Sequence, residues 1–428
     1  MRPAQDLSQD LPAGAFAGLR VLEISDEKAA FCGKLLAANG AEVIKIEPPE
    51  GDPSRRIGPF VNDVPDPERS LHFWQYNVNK QSVTLDFTAR EGQALFRRLI
   101  QTADVLIDAT PIDFLAVHQL DYERLQRLRP ELIMVSVTPF GQTGPYRDYK
   151  TSDLLHLALG GQMSICGYDP DQDGVYDTPP IAPQMWHAYH TASHFAFMGI
   201  AAALFERLDS GLGQFIDLAI HDCCALLTEM SVPYYLHTGQ TLVRQTNRHA
   251  YLYPMGQASF PTADGAHIWA GIAPRPAELR TIVEFLGEMG VADDFLADPR
   301  FSDPRFLADY DTRMTIIDRV ASYIASHSAE EVYRAAQDHK LAWGAVRKPE
   351  DNLNAPHLAD RAAFVWMTHP DEPDLPALPY ASSPWIAPET PWRVTSPAPR
   401  LGEHNAVVYE ALGMSTEALD ALRQQGVI

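Results

Sequence analysis

Three histidines, His187, His190 and His194, stand three and four residues apart. On a helix that spacing puts them on one face. Imidazoles so placed can ligate a metal or move protons near neutral pH. The segment lacks the internal glutamate that gives HExxH its base. The same spacing also suits a polar helix start packed beneath loops, so no metal is assigned. Four basic residues form a second candidate set: Lys45, Lys80, Arg147 and Lys150. Brought together beyond the carboxyl ends of a parallel sheet, where such folds bind ligands, they would hold phosphates. Singly, each is an ordinary solvated charge. The sequence has no GxGxxG loop, Walker loop or GxSxG elbow, so the common nucleotide-binding and serine-hydrolase chemistries lack a signature.

These side chains need elements to hold them. RVLEI at 20–24, VIKIE at 43–47, SVTLD at 82–86, DVLID at 104–108 and LIMVSV at 132–137 read as strands. Between them, 29–39 (closed by Gly40), 91–102 and 122–128 carry helical patterns. Strands alternating with helices predict βαβ units and a parallel sheet covered on both faces. A long helix is expected over 187–207, stopped by SGLGQ at 210–214, with the strand FIDLAI at 215–220 after it. From 234 to 271 the chain is rich in polar and aromatic residues, and 276–347 reads as helical. The proline-rich stretch 366–400 suits an extended crossing segment, and two short helices, 405–412 and 416–424, follow.

The 428 residues are 46% hydrophobic and 21% charged, a globular balance. With 34 basic against 56 acidic residues the net charge is −22. Such a chain repels polyphosphate backbones, which argues against a nucleic-acid partner. Cys32, Cys166, Cys223 and Cys224 form neither a CxxC nor a disulfide framework. No signal-peptide pattern opens the chain, and its longest apolar run, 195–205, is short of the roughly 20 residues that span a bilayer. The expectation is a cytoplasmic protein without a membrane segment.

Several motifs, in order, make the chain similar to the family III CoA-transferases, also called the CaiB/BaiF family. They are GLRVLEIS, NGAEVIKIEPPEGDPSR, YNVNKQSVTLDF, ADVLID, FGQTGPYRDY, SDLLHLALGG, AAALFERLDSGLGQFIDLAIHD, NRHAYLYPMGQASFPTADG, DPRF, GAVRKPED and RLGEHN. The resemblance covers about 18–428. It implies an α/β fold: a doubly wound, Rossmann-like large domain built from both chain ends, a smaller middle domain, and two subunits threaded through one another as an interlocked dimer. The boundaries expected here are 1–225, 226–335 for the small domain, and 336–428 for the linker and the return to the large domain.

The resemblance also implies that coenzyme A is a substrate rather than a resident cofactor. Lys80, with Asn77 and Asn79 beside it, and Lys150 fall where the family approaches CoA. Glu27 and Lys28 fall where the first strand meets the nucleotide. After ADVLID, Ala109 and Thr110 stand where the family often has Asn-Phe, and Val117 or His118 replaces an arginine. The family's nucleophile, a carboxylate that attacks the thioester, is an aspartate about 25 residues before the Gln of the GxGQ turn. Counting back from Gln214 reaches Tyr189, flanked by Ala188 and His190. A phenol has no acyl carbon on which CoA can be parked. It is left with forming an aryl ester or donating a hydrogen bond to a thioester oxygen.

Three readings follow. The chain is one subunit of a heteromer whose Asp-bearing paralogue supplies the nucleophile; or another carboxylate, Asp153, Asp177 or Glu27, has taken over; or the acyl-CoA chemistry differs, with His190 or His187 as base. A CoA-binding subunit without catalysis is the alternative outside enzymology. The racemase branch is disfavoured, because Ser152 and Tyr189 occupy its His and Asp columns. Expected partners are therefore an acyl-CoA, a carboxylic acid, and a second subunit in a homodimer or heterodimer. Trp186, Tyr189, Tyr234, Tyr235 and Tyr251 lie in segments the family uses for the acid; packed in a core, they would be ordinary aromatic residues.

Overall fold

The computed structural model describes residues 12–428 except 184, 229, 253, 254, 274 and 292. Its central feature is a six-stranded sheet. The strands are β1 (Arg20–Ile24), β2 (Glu42–Glu47), β3 (Lys80–Thr84), β4 (Val105–Asp108), β5 (Ile133–Thr138) and β6 (Phe215–Ala219), in the spatial order 3-2-1-4-5-6. Every pairing is parallel. The expected strands are all present, β3 starting two residues earlier than its sequence pattern.

Alternate side chains divide the sheet's two faces. Leu22, Ile24, Ile44, Ile46, Val83, Leu106 and Met134 join one apolar cluster with Leu95, Phe96 and Leu99 of the helix Arg90–Ile100 and Leu125 of the helix Tyr122–Leu128. Tyr409, Leu419 and Leu422 from the two C-terminal helices complete it. Helices α1 (Ala30–Ala38) and α2 (Leu71–Asn77) pack together, as do α1 and the long helix α3 (His187–Ser210), which also meets β5. The face opposite the apolar cluster carries charge: Glu23, Lys45 and Ser82 are in register on β1, β2 and β3, and all are buried. Gly211 ends α3 at φ 71, and a Cβ on Gly213 would lie 1.9 Å from the Leu132 carbonyl oxygen. The turn before β6 therefore needs its glycines.

The chain divides into two compact units, Met1–Gly160 with Gln184–Leu227 and Leu353–Ile428, and Gly161–Pro183 with Thr228–Asn352. These differ from the boundaries read from sequence: 161–183 and 336–352 fall in the second unit. The second unit has an antiparallel sheet of Ser259–Pro261, His267–Ala270 and Trp343–Ala345. It packs with the helices Pro276–Glu288, Tyr310–Ala325 and Ala329–Asp338 around Phe260, Ile268, Phe285, Val320 and Trp343. The proline-rich segment holds the strand Leu378–Ala381 and is tied to the first unit by Asn79. Among the described residues, no helix is long and apolar enough to cross a membrane.

Candidate active site

In a sheet of this order the connections turn to opposite sides after β1 and β4, opening a crevice beyond their carboxyl ends. Residues 25–28 follow β1, and Ala109 and Thr110 follow β4. The first turn of α3 meets this region, because the Tyr189 phenol is under the electrostatic influence of Glu27, Asp153 and Asp26.

Asp153 is the first residue of the helix Asp153–Leu159, capped by the Ser152 hydroxyl.

 Its Oδ1 accepts the backbone N–H of Tyr189 at 3.1 Å, and the backbone dipoles of Ala188 and His187 also favour its charged form. An orphan donor of α3 is thereby satisfied. Burial nevertheless holds the Asp153 carboxyl above the ordinary range, outweighing those contributions. Tyr189 is buried and stacks on Trp186 with ring centroids 5.6 Å apart; His156 meets its edge at 6.4 Å. Burial first, then the charges of Glu27, Asp153 and Asp26, push the phenol pKa well upward. This is an un-ionised hydroxyl. Glu27 is half-buried, its carboxyl raised by burial and by Asp26, and Lys28 pairs with Asp26. Asp177 is an exposed residue of the second unit.

His190 turns to another side of α3. Its Nε2 is 2.7 Å from the Tyr76 hydroxyl, and its ring lies 4.7 Å from that of Phe31. Burial, followed by His194, His187, Lys34 and His72, lowers its pKa to about 4, so the imidazole is neutral at pH 7. His194 is exposed, with Nδ1 2.8 Å from the His190 carbonyl oxygen. The three histidines share a helix, as their spacing predicts.

Of the four basic residues read as a phosphate cluster, Lys45 and Lys80 meet on the buried Glu23 carboxylate, and Arg147 is paired elsewhere with Asp113. Lys80 opens β3 at its amino end and is buried; its ammonium donates to Glu23 at 3.0 Å, the Ala30 carbonyl at 2.8 Å and the Asn77 amide oxygen at 2.9 Å. Lys45 is buried against Asp52 at 2.9 Å. Arg147 pairs with Asp113 at 2.6 Å, and Lys150 is exposed. Low interior polarity explains the first two: a buried ammonium must find carboxylates, and Glu23 and Asp52 provide them. Asn77 also donates to the Phe73 carbonyl, and Asn79, at φ 63, accepts from Thr395 and Ser396. Within this chain, then, Lys80, Asn77 and Asn79 hold the interior and the crossing segment rather than open space.

Only Thr110 among the expected contacts lines the cavity of about 560 Å³ beside β4 and β5. Its hydroxyl donates to Asp108 at 2.7 Å. Burial lifts Asp108 to about 6 against the pull of Thr110 and Ser136. Phe114, Tyr122, Met134, Gln142 and Phe215 form other parts of the wall. The sequence signal for this cavity was the strand end DVLID, read only as a strand. Val117 is exposed, and the His118 ring packs on Phe114. Trp186 and Tyr189 belong to the first unit, whereas Tyr234, Tyr235 and Tyr251 belong to the second.

Comparison with known proteins gives a consistent result. The family described as CoA-transferase family III matches residues 16–405. The succinyl-CoA:(R)-benzylsuccinate CoA-transferase subunit BbsE of Thauera aromatica is 30% identical over 416 residues, 96% of this chain and 98% of that protein. The succinyl-CoA–D-citramalate CoA-transferase of Chloroflexus aurantiacus is 31% identical over 428 residues, 99% of this chain and all of the relative. Among solved structures, a CAIB/BAIF family protein from Brucella suis superposes with a TM-score of 0.77 at 26% identity, covering 94% of this chain and 100% of that one.

Proposed function

The chain belongs to CoA-transferase family III and is a CoA-transferase, and from that premise we propose that it works as one subunit of a heteromer whose other chain supplies the carboxylate nucleophile. The observation that carries this reading is the first turn of α3. Tyr189, which the resemblance places in the nucleophile's column, is a buried, stacked phenol, and the Asp153 carboxylate is occupied by backbone N–H. In the reaction the resemblance implies, a carboxylate oxygen attacks the thioester carbonyl, the carbon–sulfur bond breaks and CoA leaves as the thiolate. The thiolate then attacks the enzyme's own acyl carbon and releases the acyl group as a free acid. Tyr189 has no such carbon. Its raised pKa keeps the proton on, so the role left to it is a hydrogen bond to a thioester oxygen.

The neutral His190 has the lone pair of a base, but its Nε2 is already 2.7 Å from the Tyr76 hydroxyl. Glu27, Lys28 and Thr110, at the ends of β1 and β4, and the exposed Lys150 are the groups assigned to CoA. Lys80, Asn77 and Asn79 are assigned to the scaffold behind it. The partner is an Asp-bearing paralogue, the two chains threaded together as the resemblance implies. One relative is itself named a subunit. The two relatives described above are named for succinyl-CoA with benzylsuccinate or citramalate, all acids with a second carboxylate. The acid handled here is assigned to the same dicarboxylic class.

The test is CoA exchange from succinyl-CoA to a dicarboxylic acceptor, by this chain alone and with the paralogue, followed by borohydride trapping and mass spectrometry. Exchange should require both chains, with the reduced carboxylate on the paralogue. Turnover by this chain alone, or a modified Glu27, would refute the paired-subunit reading.

A further inference from the structure

Lys34 lies in the second turn of α1 and is 2% exposed. Among the described residues its ammonium has neither hydrogen bond nor ion pair; its closest ring is that of Tyr76, 6.0 Å from Nζ to centroid. Buried lysines are rare unless paired. Lys45 and Lys80 obey that rule, with Asp52 and Glu23 respectively at 2.9 and 2.8 Å.

The neighbours of Lys34 are basic or neutral. Lys80 comes from β3, Tyr76 from α2 and His190 from α3, and His72 and His194 stand near His190 in turn. The nearby acids are already engaged: Glu23 by Lys80 and Lys45, Asp52 by Lys45, Asp153 by backbone N–H. With His72 and His190 neutral and Lys80 and Lys45 paired, Lys34 is the charge left over inside a protein of net charge −22. Burial, then Lys80, lowers the Lys34 pKa to about 7. An anion entering here would offset that charge.

The cluster grades inward from exposed His194, through half-buried Phe31, Tyr76 and His190, to buried Lys34. Phe31 is 5.3 Å from His194 and 4.7 Å from His190; His72 is 4.7 Å from Tyr76 and 5.4 Å from Trp186, which stacks on Tyr189. Tyr189 and His190 are consecutive on α3, so one acid reaching both sides of that turn can present a carboxyl group to each.

We propose that Lys34, with Tyr76 and His190 beside it, receives the second, non-reacting carboxylate of a dicarboxylic acid, while Phe31, His72 and Trp186 flank its carbon skeleton. This rests on the CoA-transfer reading above, and it assigns Lys34 as the residue that distinguishes dicarboxylic from monocarboxylic acids.

Titration calorimetry on the assembled protein tests it with succinate and butyrate, which share a four-carbon skeleton and differ by one carboxylate. Succinate should bind at least about ten-fold more tightly. Lys34→Met should erase that preference, and Lys34→Arg should restore part of it. Raising the pH from about 6 to 8.5 should weaken succinate binding to the wild type but not to K34M, because the neutral amine no longer attracts an anion. K34M should melt no lower than the wild type, since it removes an unpaired buried charge. Equal binding of the two acids by the wild type, or a preference unchanged in K34M, would overturn the assignment. Binding of CoA itself, measured in parallel, separates the two readings: CoA bound without acid discrimination sinks only the Lys34 site, whereas no CoA binding sinks the transferase reading beneath it.

Discussion

Replacing Tyr189 by phenylalanine removes one oxygen and leaves the ring stacked on Trp186. The outcome depends on what that oxygen does. An ordinary phenol with a pKa near 10 is about 0.1% ionised at pH 7, and burial together with Glu27, Asp153 and Asp26 reduces that fraction further. A phenol so rarely deprotonated contributes nothing useful to attack on a thioester. Loss of one hydrogen-bond donor to a developing oxyanion costs up to about 10²–10³ in kcat, whereas loss of a covalent nucleophile costs on the order of 10⁴ or more. Tyr189→Phe in the two-chain enzyme proposed above should therefore lower kcat by no more than about 10³, with no acyl adduct on this chain in either form. The assay is succinyl-CoA-dependent thioester formation, with peptide mass spectrometry of the quenched reaction. Collapse to the uncatalysed rate, or an acyl ester on Tyr189 of the wild type, would refute the reasoning. Tyr189→Asp is the complementary change. It supplies an acyl carbon and should let this chain hold CoA as a thioester, while losing the stack and leaving a cavity that costs ~3 kcal/mol.

Acid should unfold the protein early. His72, His156 and His190 are each lowered to about 4, chiefly by burial, against an unfolded value near 6.5. The unfolded chain binds more protons between those values, so stability is present above pH 6.5 and lost as pH falls toward 4. After allowance for partial exposure each imidazole contributes ~1 kcal/mol, and denaturant midpoints measured across that range should fall; His190→Asn should flatten the profile. Gly33→Ala should destabilise by more than ~3 kcal/mol in thermal melts, because the added Cβ would lie 1.6 Å from the Glu23 carboxylate and 3.1 Å from the Lys80 ammonium. Asn79→Ala should cost ~2–4 kcal/mol, since Asn79 holds Thr395, Ser396 and Arg393 from a left-handed backbone conformation; proteolysis within 366–400 should quicken in step.

Much of the architecture was legible one residue at a time. The runs at 20–24, 43–47, 104–108 and 132–137 are short, apolar and β-branched, so each has one stable use, as a strand buried on both faces. The GxGQ turn was legible as a glycine-rich helix stop, but what demands Gly213, the Leu132 carbonyl coming so close, is a contact across the fold. Helices Leu71–Asn77 and Asp153–Leu159 went unread because each is only seven residues long. Two turns do not display a period, and their serine caps look like any loop serine.

The lysines mark where sequence reading ends. Their positions in the chain are plain, but whether an ammonium faces solvent, a carboxylate or neither depends on residues far away. Lys80 meets Glu23, 57 positions earlier, while Lys34 meets no acid among the described residues. Local patterning determined which segments become strands and helices, because backbone hydrogen bonding and hydrophobic periodicity act over a few residues. Only the tertiary structure decided which charges were buried, paired or left over, because desolvation and Coulomb attraction depend on distance through space, and chain order does not encode it.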